Sequence, residues 1–251
     1  YIIADEILIP PESQKYYSEK IVYLPNTYQP NDPERIKASK QVTREELGLP
    51  EDSFIFCCFN NCYKITPKVF DSWARILNQT PNSILWLLEE NSFATKNLKS
   101  EAAKRGIKEN QLLFAPKLPL ADHLARLRLA DLVLDTFPYN AHTTASDALL
   151  AGVPVITRVG KTFASRVAAS LLNAVNLPEL ITDTQELYES LVIELVANPI
   201  RLSQIRADLQ GDIFSKSLFN SILFAQHIEQ AYTRIYEQYS DGIAPSTIFI
   251  E

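Results

Sequence analysis

The strongest constraint on the fold is a regular exchange between short apolar runs and amphipathic stretches along the middle of the chain. Strands are expected over 53–59, 83–88, 111–114 and 132–134, with helices over 67–79, 92–105 and 121–130. Alternation of this kind implies a parallel sheet with helices on both faces, an α/β, Rossmann-like arrangement. Ligands of such sheets bind beyond the carboxyl ends of the strands. The polar residues falling there are Asn60, Asn61 and Lys64 after the first strand, residues 116–120 after the third, and a turn at His142, Thr143 and Thr144. They come from separate parts of the sequence yet should line one rim.

The flanks read differently. Residues 1–50 are polar and punctuated by proline, with one apolar strand candidate at 20–24, and read as the end of one unit and a linker. Residues 51–215 carry the sheet, and 216–251 a C-terminal helix and tail. From 184 onward the pattern is helical, over 184–197, 200–210 and 217–239, and the tail after Ser240 is expected to be loose. The chain opens YIIADEILIPPE as if in mid-strand and contains no methionine, so it is expected to be a piece of a longer protein.

The densest chemistry lies in residues 131–170, DLVLDTFPYNAHTTASDALLAGVPVITRVGKTFASRVAAS. A short apolar run ending at Asp135 is followed by turn formers, Pro138 and Asn140, and then by His142, Thr143 and Thr144. Thr143 or Thr144 can cap a helix through its hydroxyl; Gly152 suits the left-handed position after the last turn, and Pro154 stops continuation. A helix start offers unpaired N–H groups and a partial positive charge, which favour phosphate or pyrophosphate. The competing reading is a capping box between Thr144 and Asp147. A second unit follows: a strand at 155–156, then a helix opened by Gly160 and Thr162, whose small residues allow close packing. Arg166, one turn in, reads as a solvated or salt-bridged surface residue.

Composition removes several classes of function. Net charge is -6 with no basic run, which argues against a nucleic-acid surface, so any anion site must be local. No apolar run approaches the roughly 18 residues of a membrane span, and no signal peptide is visible. Cys57, Cys58 and Cys62 cluster in FCCFNNCYK, but two lie within an apolar strand and no second pair completes a tetrahedral set, so buried free thiols are expected and no metal site. Reduced thiols fit a cytoplasmic protein. There is no G-x-G-x-x-G, no P-loop and no G-x-S-x-G elbow, which weakens the dehydrogenase reading and removes those of P-loop NTPase and commonest hydrolase.

The segments FNNCYKITPKVFDSWARILNQTPNSILWLL (59–88), LADLVLDTFPYNAHTTASDALLAGVPVIT (129–157) and FASRVAASLL (163–172) together resemble the carboxyl-terminal catalytic lobe of the O-GlcNAc transferase family, which includes the bacterial SPINDLY-like proteins. The resemblance covers about residues 16–239. It implies the nucleotide-sugar-binding lobe of a GT-B glycosyltransferase, which transfers a sugar from a nucleotide donor to serine or threonine hydroxyls of proteins without a metal. The chain has no Asp-x-Asp pair, so protein donors would neutralise the leaving diphosphate.

By this resemblance, Lys64 contacts the diphosphate and supports its departure, and Asn61 stands near the same group. Thr143 and Thr144 are the phosphate-binding pair, with His142 before them; Asp147 bonds the ribose hydroxyls, and His123 and Arg126 lie around the nucleobase. Read from the pattern alone, His123 is an exposed helix residue. Leu120, Ala141 and Lys161 depart from residues common among relatives, and Leu120 puts donor affinity in doubt. The implied donor is UDP-GlcNAc, with no metal or other cofactor; the partners are acceptor proteins and, within the same longer chain, an amino-terminal lobe and tetratricopeptide (TPR) repeats, without which this piece should be inactive. The alternatives are a GDP-fucose protein O-fucosyltransferase, a non-catalytic nucleotide-binding module and, more remotely, a nucleotide-sugar epimerase.

Overall fold

The computed structural model describes residues 1–32, 34–35, 41–211 and 215–251. Two strands, β1 (Ile2–Ala4) and β2 (Ile21–Tyr23), precede the central alternation: β3 (Phe54–Cys58), α1 (Pro67–Gln79), β4 (Ser83–Leu88), α2 (Ser92–Lys104), β5 (Leu112–Ala115), α3 (Leu120–Leu127), β6 (Leu132–Leu134), α4 (Thr143–Leu150), β7 (Val155–Arg158), α5 (Val167–Ala174) and β8 (Ile181–Thr182). Helices α6 (Gln185–Ala197), α7 (Pro199–Gln210) and α8 (Ser221–Ser240) follow, and β9 (Ile248–Phe249) closes the chain.

Strands β3 to β8 form one six-stranded sheet in the order β5-β4-β3-β6-β7-β8, with parallel pairing throughout. Ile55, Phe56 and Cys57 are consecutive and all buried, as are Leu132, Val133 and Leu134, so neighbours pointing to opposite sides of the sheet are both covered. The expected sheet with helices on both faces is therefore present. Its helices fall into two packed groups, α1 with α6 and α7, and α3 with α4 and α5.

Local chemistry explains the element boundaries. Thr66 caps α1, its hydroxyl accepting from the Val69 amide, and Pro67 occupies the first turn, where no donor is needed. Phe70, Trp73, Ile76 and Leu77 then recur at helical spacing and are buried. Helix α4 ends before Gly152, whose φ of 77° is left-handed; a Cβ there would also lie 2.5 Å from the Gln210 side chain.

Four expectations need correction. The tail is not loose: β9 pairs in parallel with β2, which also pairs with β1, giving a second, three-stranded sheet that joins the two ends of the chain. Val22, Leu24, Ala231, Ile248 and Ile250 form its own small core. Strand β8 was not expected. Past Gly160 the chain makes a 3-10 turn, Phe163–Ser165, before α5 begins, and α8 starts only at Ser221 because Asn220 caps it. No helix among the described residues is long and apolar enough to cross a membrane.

Candidate functional site

The strand order reverses between β3 and β6: the chain leaving β3 continues to β4 on one side, and the chain leaving β6 continues to β7 on the other. The crevice beyond the carboxyl ends of these two neighbours is where open α/β sheets bind ligands. Two segments meet there, Asn60 to Lys64 after β3 and Asp135 to His142 after β6.

Lys64 ends a short 3-10 turn and is only 8% exposed. Its Nζ donates to the Asn140 carbonyl at 2.8 Å and lies 3.9 Å from the centroid of the Tyr139 ring. Burial lowers its pKa, opposed by the nearby Asp135 carboxylate. A lysine this buried, with one of its three donors on a carbonyl and no acid in contact, keeps donors for an incoming anion. Asn61 is exposed on the same rim, its carbonyl accepting from the Lys64 amide.

Asp135 follows directly on β6 and organises the next turn. One carboxylate oxygen accepts from the Thr136 amide at 2.7 Å and the Ala141 amide at 2.6 Å; the other accepts from the Thr157 hydroxyl at 2.6 Å. Asn140 is wholly buried, its amide nitrogen donating to the Thr136 carbonyl and its backbone N–H to Ala164. The turn delivers the chain to His142, the residue preceding α4.

Helix capping separates this region from the rest of the molecule. Side chains cap α1, α2, α6, α7 and α8, through Thr66, Asn91, Thr184, Asn198 and Asn220. Helices α3, α4 and α5, which follow β5, β6 and β7, have no side-chain cap. The competing reading, a capping box between Thr144 and Asp147, does not hold. The Thr144 hydroxyl instead donates to Asn60 Oδ1 at 2.6 Å, and Asp147 pairs with Arg35 at 3.0 Å. Among the described residues the Thr143 and Thr144 amides find no acceptor, so the start of α4 remains open to an anion. Thr143 is exposed. Among the described residues the buried His142 Nε2 atom has no hydrogen-bond partner, and burial followed by the charge of Lys64 lowers the imidazole pKa. Asp147 is buried beneath the same helix start; burial raises its pKa against the opposing effect of Arg35.

His123 and Arg126 join this rim through Phe59, at the end of β3. The Arg126 guanidinium lies 4.3 Å from the Phe59 ring centroid, and the His123 ring 5.4 Å from it. Arg126 donates to the Pro116 carbonyl and, at 2.9 Å, to His123 Nδ1. Because arginine only donates, Nδ1 must accept, which leaves the proton on Nε2. Burial, then the Arg126 charge, pushes the His123 pKa down to about 4. His123 is thus a half-buried neutral donor, not an exposed helix residue. Arg166 also departs from expectation: it donates to the Ile7 carbonyl at 2.7 Å and the Gly160 carbonyl at 2.8 Å.

Asp135, Tyr139 and Arg35 were not singled out as site residues by sequence; Asn60 was named only as a rim residue and Asn140 only as a turn former. The one signal was the position of Asp135, an acid immediately after a buried apolar strand. Cys57 and Cys58 are buried free thiols as expected, and among the described residues no group of three or more His, Cys, Asp or Glu is arranged to hold a metal. A groove of about 810 Å³ opens at the opposite, amino end of the strands, between Ser53, Asn82, Asp131 and helices α6 and α7.

The profile described as Glycosyl transferase family 41 matches residues 29–228. A probable UDP-N-acetylglucosamine–peptide N-acetylglucosaminyltransferase, SEC, from Arabidopsis thaliana is 34% identical over 251 residues, which cover 98% of this chain and 26% of that protein. A probable enzyme of the same description, SPINDLY, from Oryza sativa is 32% identical, over 98% of this chain and 27% of its own length. The chain therefore spans about a quarter of these curated relatives. Among solved structures, a lysine-to-methionine mutant of the O-GlcNAc transferase of Thermobaculum terrenum superposes with a TM-score of 0.82 at 31% identity, over 94% of this chain and 45% of that one. Anabaena HepE in complex with UDP shares the fold, with a TM-score of 0.59 at 16% identity over 86% of this chain and 57% of that one.

Proposed function

Because the chain belongs to glycosyl transferase family 41, we propose that it is the donor-binding lobe of an inverting protein O-glycosyltransferase, which moves N-acetylglucosamine from UDP-GlcNAc to serine or threonine hydroxyls. The observation that carries this reading is the meeting of a buried lysine with an uncapped helix start at the switch point of the sheet. A diphosphate set there takes the open Thr143 and Thr144 amides, the Thr143 hydroxyl and the Lys64 ammonium. As the glycosidic bond breaks, negative charge builds on the departing diphosphate. Fixed donors in a partly buried site stabilise that charge without reorganising, which is the service a metal would otherwise perform.

The remaining assignments follow from position. Asp147, buried at the second turn of α4, accepts from the ribose hydroxyls once Arg35 gives way. His123 supplies an Nε2 donor and Arg126 holds its ring for the nucleobase, while Asn61 and His142 flank the diphosphate. No metal or other cofactor enters the scheme. Acceptor proteins and further parts of a longer chain, an amino-terminal lobe and TPR repeats, belong to the same proposal, the first supported by the names of the relatives and the second by the quarter of their length that this chain spans; a cytoplasmic setting is proposed with them on the free thiols.

The rival donor is GDP-fucose. Calorimetric titration of the chain with UDP and GDP separates the two: UDP is expected to bind at least tenfold more tightly, and preference for GDP overturns the choice of donor.

A further inference from the structure

Asp135 has a partner set unlike that of any other acid in the site. It is 4% exposed, and every group that bonds its carboxylate is neutral: two amides on one oxygen and the Thr157 hydroxyl on the other. Lys64 is close enough to act on it electrostatically, yet its Nζ sits on the Asn140 carbonyl. The hydroxyl matters because it works in both directions. When the carboxyl is ionised, Thr157 donates to it; when the carboxyl is protonated, that oxygen donates to Thr157 and the hydroxyl turns. The first oxygen keeps both amides in either state. The turn from 135 to 141, and with it the seat of Lys64 and the opening of α4, therefore survives a change of protonation.

We propose that Asp135 is a positioning residue of the anion site and that it takes up one proton from solvent when the donor diphosphate binds. The inference rests on the donor-site reading given above. An arriving diphosphate adds negative charge beside a buried carboxylate and draws on Lys64, the cation that compensates it; both changes favour the neutral acid. Burial already raises the pKa of Asp135 to about 7, against the opposing pull of its hydrogen bonds and of Lys64, so the residue is poised to respond near neutral pH. The other ionisable groups around it are Cys58 on β3 and Tyr188 on α6, both raised by burial and so neutral, and Arg158 on β7, whose guanidinium lies 4.1 Å from the Phe137 ring centroid. His142 lies across the turn, and Asp147, beneath the start of α4 and raised by burial, loses Arg35 in the same event; these two are the competing proton acceptors among the described residues.

The test is calorimetric titration of the full chain with UDP-GlcNAc, whose diphosphate has no titrating terminal group, at pH 7.5 in two buffers of different ionisation enthalpy. The wild type is expected to show buffer-dependent heats corresponding to a fraction of one proton taken up, and affinity that falls several-fold from pH 6.5 to pH 8.5. Asp135→Asn mimics the protonated acid, accepting both amides and donating to Thr157, and is expected to bind with buffer-independent heats and a flat pH profile. Buffer-independent binding by the wild type, or uptake that persists in D135N, overturns the inference, the latter pointing to His142 or to Asp147 freed of Arg35. If D135N does not fold, Thr157→Val serves instead: on balance the hydroxyl holds the acid's pKa down, so uptake at pH 7.5 should shrink and move to higher pH, and unchanged uptake overturns the inference. A wild type that does not bind UDP-GlcNAc at all overturns the donor-site reading itself, which distinguishes the two failures.

Discussion

Two aspartates bracket the three residues of β6, and they are compensated in opposite ways. Asp131, at the amino end, pairs with Arg44 at 2.9 Å, with Arg206 at 3.8 Å, and accepts from the Ile55 amide at 2.8 Å. Both arginines are further occupied by backbone carbonyls, Arg44 by those of Glu51, Ser53 and Leu129, and Arg206 by that of Ala130. Asp135, at the carboxyl end, has only neutral partners. The first end is electrostatically complete; the second withholds its cation, Lys64, and leaves three helix starts uncapped. A groove of about 810 Å³ lies at the complete end, whereas the unmet hydrogen-bonding capacity lies at the other.

The sharpest way to break this comparison is to remove one cation from each end. Lys64→Ala is expected to weaken UDP binding about 10- to 100-fold, the scale of a hydrogen bond to a charged group, with a smaller stability loss, about 1 kcal/mol, from freeing the buried Asn140 carbonyl. Arg44→Ala should do the reverse, costing about 1–3 kcal/mol of stability by stranding buried acceptors and leaving UDP affinity unchanged. If both variants lost affinity equally, the distinction between the two ends would fail.

A smaller effect concerns stability against pH. The pKa of Asp135 is raised in the folded chain, from 3.8 to about 7. Its favourable contribution is therefore full below the unfolded value and is lost as pH rises through about 7, with a slope of at most about 1.4 kcal/mol per pH unit. Denaturant titrations from pH 5 to pH 8 should show this decline in the wild type and a shallower one in Asp135→Asn. Equal slopes would place the ionisation elsewhere.

The fold was legible wherever local pattern and tertiary role agree. The bounds of α1, β4 and β6 follow directly from apolar spacing and turn residues, because each strand is buried on both faces and each helix on one. Strands β8 and β9 were missed because each has only two residues, too few for a period to show. Moreover, β9 is fixed by Tyr23 and Val22, more than 200 residues away. In the site, Lys64, His142, Thr143 and Thr144 were placed on the rim by the strand pattern and the helix start, and the resemblance gave them and Asp147 their roles, whereas the competing capping reading offered a local bond between Thr144 and Asp147. That bond lost because Asn60 and Arg35, distant in sequence, offer both groups partners that no local window contains. Asp135 and Asn140 were missed for the same reason: their importance lies in what their turn holds, and Lys64 arrives from another strand.

The central claim, that the incomplete rim is the ligand rim, is tested most directly by a crystal structure of the chain with UDP bound. The diphosphate is expected between Lys64 Nζ and the Thr143 and Thr144 amides, with Asp147 released from Arg35 and turned to the ribose. UDP lodged instead in the groove beside Asp131 and Arg206, with Lys64 still on the Asn140 carbonyl, would contradict it.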